Sequence, residues 1–537
     1  MAVSFYWGQV HDRERDWATL ERFYQACPPP DAADALDAQT WDELHLGPLF
    51  ARLDRTLSTP GACWLYRLLH IPVLTTEVWR QRQRTIQALG EDASAREALQ
   101  DALAEAGRRR GAELTSLLWD ELPERHGSVW IFRALVAATL ASLLLFLLTF
   151  HLPWFILLVA LAVADARVHY GEQRRLEGRL GALHQLRHLI AAAGRAGQME
   201  SPPALAASAG RLRTAARSAH RLKRRLNWLL PEFSNAALGD ISSLLLDYVD
   251  MFLLHQVRTF YACLAELKVQ LPALRQIFIT LGELDACQAI ANWRAGTEGW
   301  CEPELDDSGP RLDIADACHP LLAAPIPNSF ILDKPGAAVT GSNMSGKTTF
   351  LRTIAVNVVL AQTVATCFAA SYRGRTLVVM TSMNTGDNLL EGKSYYLAEA
   401  ERLLQIVRLA EGPRPILALI DEPLAGTNSP ERHAASREIL RYLASHRGLV
   451  LASTHDVDLV RALEACGLFA AYHFSDSADA KGLRFDYTLH PGLDYHANAL
   501  TVLRFLGYPE AILAAAEAPP AKNVAPHPNC ECILPAE

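Results

Sequence analysis

The chain has 537 residues, half of them hydrophobic, and a formal net charge of −8. That length carries two to four domains with cores of their own. The acidity excludes a globally basic nucleic-acid binder, so any basic surface must be local.

Residues 1–30 form an amphipathic lead ending in Pro28-Pro29-Pro30, and Met1–Arg15 lacks an apolar run adequate for a signal peptide. Residues 31–128 predict short helices over Thr40–Leu44, Pro48–Leu53 and Ala62–Leu69. Thr59-Pro60-Gly61 is the turn before the last of these, and Ser94–Glu121 is a charged helical stretch.

Residues 129–168 differ in kind. Ala134–Ala164 contains no Asp, Glu, Lys or Arg, and Ala134–Phe150 is a 17-residue run whose polar members are Thr139, Ser142 and Thr149. About 20 apolar residues cross a bilayer core, so one reading is a transmembrane hairpin turning at His151-Leu152-Pro153. Arg125 and Arg133 before it, and Arg167, Arg174 and Arg175 after it, suit two cytoplasmic ends; Trp130 and Trp154 suit interfacial anchoring. The second arm, Trp154–Ala164, is short for a full span, which leaves a shallow hairpin or one kinked helix. The competing reading is a buried helical hairpin of a soluble protein.

Residues 169–302 read as helical. Arg211–Arg225 holds Arg211, Arg213, Arg217, Arg221, Lys223, Arg224 and Arg225 with no acid, and Arg213, Arg217 and Arg221 recur every four residues on one helix face. Three readings compete: a solvated face, a phosphate-contacting DNA surface and a contact with anionic lipid headgroups. Residues 303–516 open on a stretch richer in Pro, Asp and Gly and predict a nucleotide domain; residues 517–537 predict a disordered tail. His527, Cys530 and Cys532 in that tail are compatible with a metal, and more simply with incidental thiols. The ten cysteines otherwise lack zinc spacing, which with a nucleotide motif points to a reducing, cytoplasmic setting.

The motif is Gly341-Ser342-Asn343-Met344-Ser345-Gly346-Lys347-Thr348-Thr349, between a short strand at Ala337–Val339 and a helix. It completes the G-x-x-x-x-G-K-[ST] pattern. Glycines let backbone N–H groups close round phosphate oxygens, and the helix N-terminus adds donors and partial positive charge. Lys347 can reach the outer phosphates of ATP and Thr348 can ligate Mg²⁺. Downstream, the apolar strand Ile416–Ile420 delivers Asp421, suited to the Mg²⁺ shell, and Glu422, suited to polarising a water. A second strand, Leu449–Ser453, leads to His455, positioned to contact the γ-phosphate unless it is a plain loop histidine. Gly392-Lys393-Ser394 opens another helix, as an anion site or as a plain cap.

These motifs together resemble the MutS DNA mismatch repair ATPases. Asn343-Met344 inside the loop, Asp387-Asn388…Gly392-Lys393-Ser394…Glu399, Asp421-Glu422-Pro423…Gly426-Thr427-Asn428 and Ser453-Thr454-His455 carry the likeness. Upstream, Leu36–Gly61, Leu284-Asp285-Ala286, Cys318-His319-Pro320 and Pro327-Asn328-Ser329 are similar to the family's lever domain and its return into the ATPase. Gly507–Ile512 resembles its closing helical segment. The resemblance implies an α/β ATPase domain of ABC/MutS type with a parallel-rich sheet, preceded by an all-α lever domain carrying the apolar hairpin. It also implies a head-to-tail homodimer in which Ser394 completes the partner's nucleotide site. The expected function is an ATP-dependent DNA-binding protein of the mismatch-repair family, tethered to the cell membrane and facing the cytoplasm, with Arg213, Arg217, Arg221, Arg224 and Arg225 as DNA or lipid contacts. The alternative is a membrane-associated mechanochemical ATPase with no DNA role. The family's mismatch-reading and connector domains are expected to be absent, and no Phe-x-Glu wedge occurs in the first 100 residues.

Overall fold

The computed structural model describes residues 7–9, 14–29, 31, 34–72, 75–108, 113–122, 129–176, 179–229, 254–306, 311–342, 344–383, 395–479, 482–493, 503–504 and 507–517. The chain forms two compact units, Met1–Ile314 with Ala355–Val379, and Ala315–Ile354 with Met380–Glu537.

The first unit is mainly helical. Its spine is the 41-residue helix His255–Ala295, which continues through Pro272. Leu274, Ile277, Phe278, Leu281 and Leu284 recur at three- and four-residue spacing and are all buried. Against this spine pack the helices Thr59–His70, Thr76–Glu91, Arg179–Ala196 and Pro203–Ser218. The Phe278 ring lies 5.2 Å from Phe23 and 5.1 Å from Trp119. Full burial of each such ring is worth about 2–3 kcal/mol.

One polar cluster ties the spine to the N-terminus of Thr59–His70. Buried Asp285 accepts the N–H of Leu57 at 2.9 Å, the N–H of Ser58 at 2.8 Å and the Ser58 hydroxyl at 2.5 Å. Ser58 Oγ in turn accepts the Gly61 N–H at 3.1 Å, the N-cap bond of that helix. Burial outweighs these donors and pushes the Asp285 carboxyl up to about 6. A Cβ on Gly61 would stand 2.0 Å from Asp285 Oδ2, so only glycine lets the carboxylate reach the cap.

The apolar hairpin consists of Val129–Thr149 and Leu152–Leu176, packed on each other. Within it the Thr139 hydroxyl donates to Asp165 at 2.7 Å, and Ser142 donates to the Trp154 carbonyl at 2.9 Å. Trp130–Thr149 and Leu152–Glu172 are each long and apolar enough to cross a membrane, by length and composition. The second arm therefore runs past the predicted Ala164, because Asp165 has a partner in the first arm and the helix does not end there. The outer face is apolar: Leu148 is 71% and Phe150 75% exposed.

Also within this unit, the end of the helix Lys347–Val364 is clasped by donors. Trp79 Nε1 donates to the Ala361 carbonyl at 2.8 Å, and Arg82 to the Thr363 carbonyl at 2.7 Å. Arg294, in the last turn of the spine, donates to the Ala365 carbonyl and to Thr366 Oγ1. Carbonyls that a helix end leaves unpaired are thus satisfied by side chains.

Ten strands are described: β1 (Glu304–Leu305), β2 (Leu312–Ala317), β3 (Asn328–Leu332), β4 (Gly336–Thr340), β5 (Ser371–Gly374), β6 (Val378–Ser382), β7 (Ile416–Asp421), β8 (Gly448–Ser453), β9 (Phe469–Asp479) and β10 (Gly482–Pro491). They form a four-stranded sheet, β1-β5-β2-β3, and a six-stranded sheet, β10-β9-β4-β8-β7-β6. β4 runs parallel to both β8 and β9, β7 runs parallel to β8, and β10 closes one edge antiparallel. β4, β7 and β8 are buried along their whole length, as strands covered on both faces are. The helices Ser429–Ser445 and Val457–Ala465 pack on β8 and β9. A helical N-terminal region and a mixed α/β region with parallel strands are thus as the sequence implies.

Candidate nucleotide site

Register decides what meets at the carboxyl edge of the six-stranded sheet. Asp421, the last residue of β7, stands opposite Ser453, the last of β8, and Ser453 stands opposite Val339 of β4. The three chain segments that leave this edge carry the Gly341–Gly346 loop, Glu422 and His455. Ligands of open α/β sheets bind at such an edge.

Lys347 opens the helix Lys347–Val364 and is almost wholly buried. Its ammonium donates to the carbonyls of Gly341 and Ser342, each at 2.8 Å. Thr348 Oγ1 donates to Asp421 Oδ2 at 2.6 Å, and the Ser453 hydroxyl donates to Asp421 Oδ1. A buried carboxylate held by two hydroxyls suits a hard divalent cation once one hydroxyl turns to share it.

Glu422 follows in a left-handed conformation, φ 48°, and its N–H bonds the Ser453 carbonyl at 2.9 Å. Its Oε1 lies 2.6 Å from His455 Nε2, while the same nitrogen is 3.3 Å from Lys347 Nζ. The shorter contact assigns the Nε2 proton to His455, which donates to the carboxylate. That hydrogen bond, above all, holds the Glu422 carboxyl below the usual glutamate value. Glu399, in the helix Tyr395–Ala410, accepts the Leu424 N–H at 2.5 Å and so fixes the turn after Glu422. Burial raises the Glu399 carboxyl above its ordinary value.

The loop bounds a cavity of about 410 Å³, within the size range of small-ligand sites. One wall is Ser342, Met344 and Gly346 to Phe350; another is apolar, with Leu322, Ile326, Phe474 and Tyr487. Asn328 shapes this second wall, donating to the Tyr487 carbonyl at 3.0 Å and accepting the Leu489 N–H at 2.7 Å. The fit to a nucleotide phosphate is direct. The buried hydroxyls of Ser342 and Ser345 have no hydrogen-bond partner among the described residues. Gly341, φ 148°, has no room for a Cβ, which would sit 2.7 Å from Ser345 Oγ. Buried polar groups without partners are costly, and phosphate oxygens would satisfy them.

Of the predicted site residues, Gly341, Ser342, Met344, Ser345, Gly346, Lys347, Thr348, Thr349, Asp421, Glu422 and His455 converge here. Asn343 and Ser394, with Gly392 and Lys393, lie outside the described residues, as does the tail with His527, Cys530 and Cys532. The apolar wall was not singled out in the sequence. Its only signals were Cys318-His319-Pro320 and Pro327-Asn328-Ser329, because Phe474 and Tyr487 come from β9 and β10, whose alternation carries no motif.

The basic stretch is elsewhere, in the first unit. One helix ends at Ser218 and the next begins at His220, so the break falls between Arg217 and Arg221. Arg213 donates to the Gly197 carbonyl, Arg211 pairs with Glu283 and Arg225 lies 3.5 Å from Glu266. Arg217, Arg221 and Arg224 are exposed.

Residues 337–522 match the family model of MutS domain V. Stretches of about half the chain also align with curated relatives. The DNA mismatch repair protein MutS of Thermus aquaticus is 31% identical over 258 residues, 47% of this chain and 30% of that protein. MutS of Natronomonas pharaonis is 29% identical over 247 residues, 44% of this chain and 28% of that protein. Residues 337–522 thus belong to the MutS domain V family. The DNA mismatch repair protein MSH3 of Pyricularia oryzae is 30% identical over 287 residues, again only 25% of its length. The MutS likeness therefore spans less than a third of each of these relatives.

Proposed function

We propose that this chain is an ATPase that uses ATP binding and hydrolysis to move its helical region as a lever, acting on DNA from a cytoplasmic-facing position at the cell membrane. The observation that supports the enzymatic part is the convergence of Lys347, Thr348, Asp421, Glu422 and His455 at one sheet edge. In this reading ATP is the substrate. Lys347 and the N–H groups of Gly346–Thr349 bind its phosphate oxygens, and the apolar wall of Leu322, Ile326, Phe474 and Tyr487 faces its base. Thr348 and Asp421 hold Mg²⁺, which when bound neutralises phosphate charge. Glu422, ionised at neutral pH and oriented by His455, accepts a proton from the attacking water. His455 answers to the γ-phosphate through its contacts with Glu422 and Lys347. Ser394 of a second copy completes each site, which makes the working form a head-to-tail homodimer. Lys347→Ala is expected to abolish ATP hydrolysis, and Glu422→Gln to slow turnover about 10²–10⁴-fold while nucleotide binding persists. Unchanged hydrolysis by purified Lys347→Ala protein overturns the assignment.

A second reading, a membrane-associated mechanochemical ATPase without DNA, is favoured by the exposed apolar hairpin and by the pairing of Arg211, Arg213 and Arg225 with protein groups. One assay separates the two: ATP turnover across DNA structures and liposomes over a salt series. On the first reading Arg217, Arg221 and Arg224 contact phosphates, and log affinity falls with log salt with a slope of about −3 per subunit. Stimulation by liposomes with no response to any DNA selects the second.

A further inference from the structure

Cys301 and Cys367 are far apart in sequence and meet as an isolated antiparallel bridge within the first unit. The Cys301 N–H donates to the Cys367 carbonyl at 2.8 Å, and the Cys367 N–H donates back at 3.0 Å. Residues that exchange both bonds sit about 5.5 Å apart at Cα, and their side chains leave the strands on one face. That separation is the one a disulfide prefers. Both residues are free thiols, Cys301 half-buried and Cys367 fully buried.

Their surroundings are unequal in a way that matters for reactivity. Arg294 donates to Thr366 Oγ1 at 2.9 Å, directly beside Cys367, and its guanidinium lies 4.7 Å from the ring centre of Trp300, directly beside Cys301. A hydrogen bond from the Cys367 thiol, opposed by partial burial and helped by Arg294, holds Cys301 below the ordinary thiol value. Burial pushes Cys367 well above it. Cys367 Sγ also lies 3.5 Å from the Asn357 carbonyl. The less buried sulfur is therefore the one whose thiol is held low and the enclosed one the thiol pushed high, the arrangement of an attacking and a resolving cysteine.

We propose that Cys301 and Cys367 form a reversible intramolecular disulfide, with a peroxide as the oxidant. The Cys301 thiolate attacks one peroxide oxygen, the O–O bond breaks, and a sulfenic acid and hydroxide result. The Cys367 sulfur then attacks the Cys301 sulfur; the S–S bond forms, hydroxide leaves, and the Cys367 proton converts it to water. Two thiols and one hydrogen peroxide give one disulfide and two waters. The bond links the segment that follows the spine helix to the segment that follows Lys347–Val364, and a cytoplasmic dithiol reverses it by exchange.

The test uses the full chain and reads thiols, so it is independent of the ATPase assignment. After hydrogen peroxide and blocking of remaining thiols, digestion without reductant should yield a peptide pair linked through Cys301 and Cys367, and dithiothreitol should return both to alkylatable form. Cys466, which is exposed, serves as the control thiol. Native alkylation should also label Cys301 at least tenfold faster than Cys367. Cys301→Ser should give no linked pair and leave Cys367 unoxidised. Two results overturn the proposal: both thiols still reduced under conditions that oxidise Cys466, or Cys301 accumulating as sulfinic acid while Cys367 stays a thiol.

Discussion

Asp285 reaches across 227 positions to accept the Ser58 N–H, and nothing local in either segment requires it. Asp285→Ala leaves the N–H donors of Leu57 and Ser58, just ahead of Thr59–His70, unpaired in a dry site, and Gly61→Ala drives a methyl into the carboxylate. Each is expected to lower unfolding free energy by about 2–4 kcal/mol, read from denaturant titration of the purified protein. The same carboxylate has a pH signature. Its folded value, about 6, lies above its ordinary one, so its contribution is largest in acid and is lost as pH rises through about 6. Glu422 has the opposite sign. His455 holds it below the usual range, so its stabilisation is present above the ordinary glutamate value and is lost as pH falls through the depressed one. Replacing His455 by Ala should move the Glu422 titration up toward the ordinary value, measurable by NMR of the labelled carboxylate. At this scale the sequence was legible where a motif packs chemistry into adjacent positions, as in Gly341–Thr349. It placed Glu399 in a motif but was silent on its bond to the Leu424 N–H, which depends on two segments meeting.

The hairpin shows how far an element can be read from composition. Its first arm was plain from hydropathy. Its second arm was underestimated because Asp165 ends the uncharged run, and only the paired arms bring Thr139 to it. In the membrane reading an acid at that depth is tolerable because it faces the partner arm. Substituting Lys for Leu144 and Leu148, both on the exposed face, adds insertion cost, about 3–4 kcal/mol for a Leu→Lys change at the bilayer centre and less toward the end of the arm where Leu148 lies. The wild-type chain should resist alkaline extraction of membranes and the double variant should be released; a wild-type chain found wholly in the soluble fraction defeats the reading. Strands β9 and β10 were the opposite case. They are long and well paired, yet none of the β10 residues whose burial is described is fully buried, so that strand has no clean alternation to find.

At the scale of the whole molecule, the proposed dimer makes a prediction of its own. With Glu422→Gln to arrest turnover, ATP should convert monomer to dimer in light scattering, and Ser394→Ala should weaken that conversion about tenfold or more. Dimer formed equally without nucleotide, or none at saturating ATP, would remove the composite site. The family-model match falls on residues 337–522, where phosphate chemistry constrains residue type at fixed spacing. Helical packing constrains only size and polarity, so the lever region leaves fewer marks.

The clasped end of Lys347–Val364 has one last consequence. Trp79 is buried, and its indole N–H is bound to the Ala361 carbonyl, three residues before that helix ends. An indole so held changes emission colour when its acceptor shifts. The last turn of the helix whose first turn bears Lys347 is thus fitted by the fold itself with a fluorescent gauge.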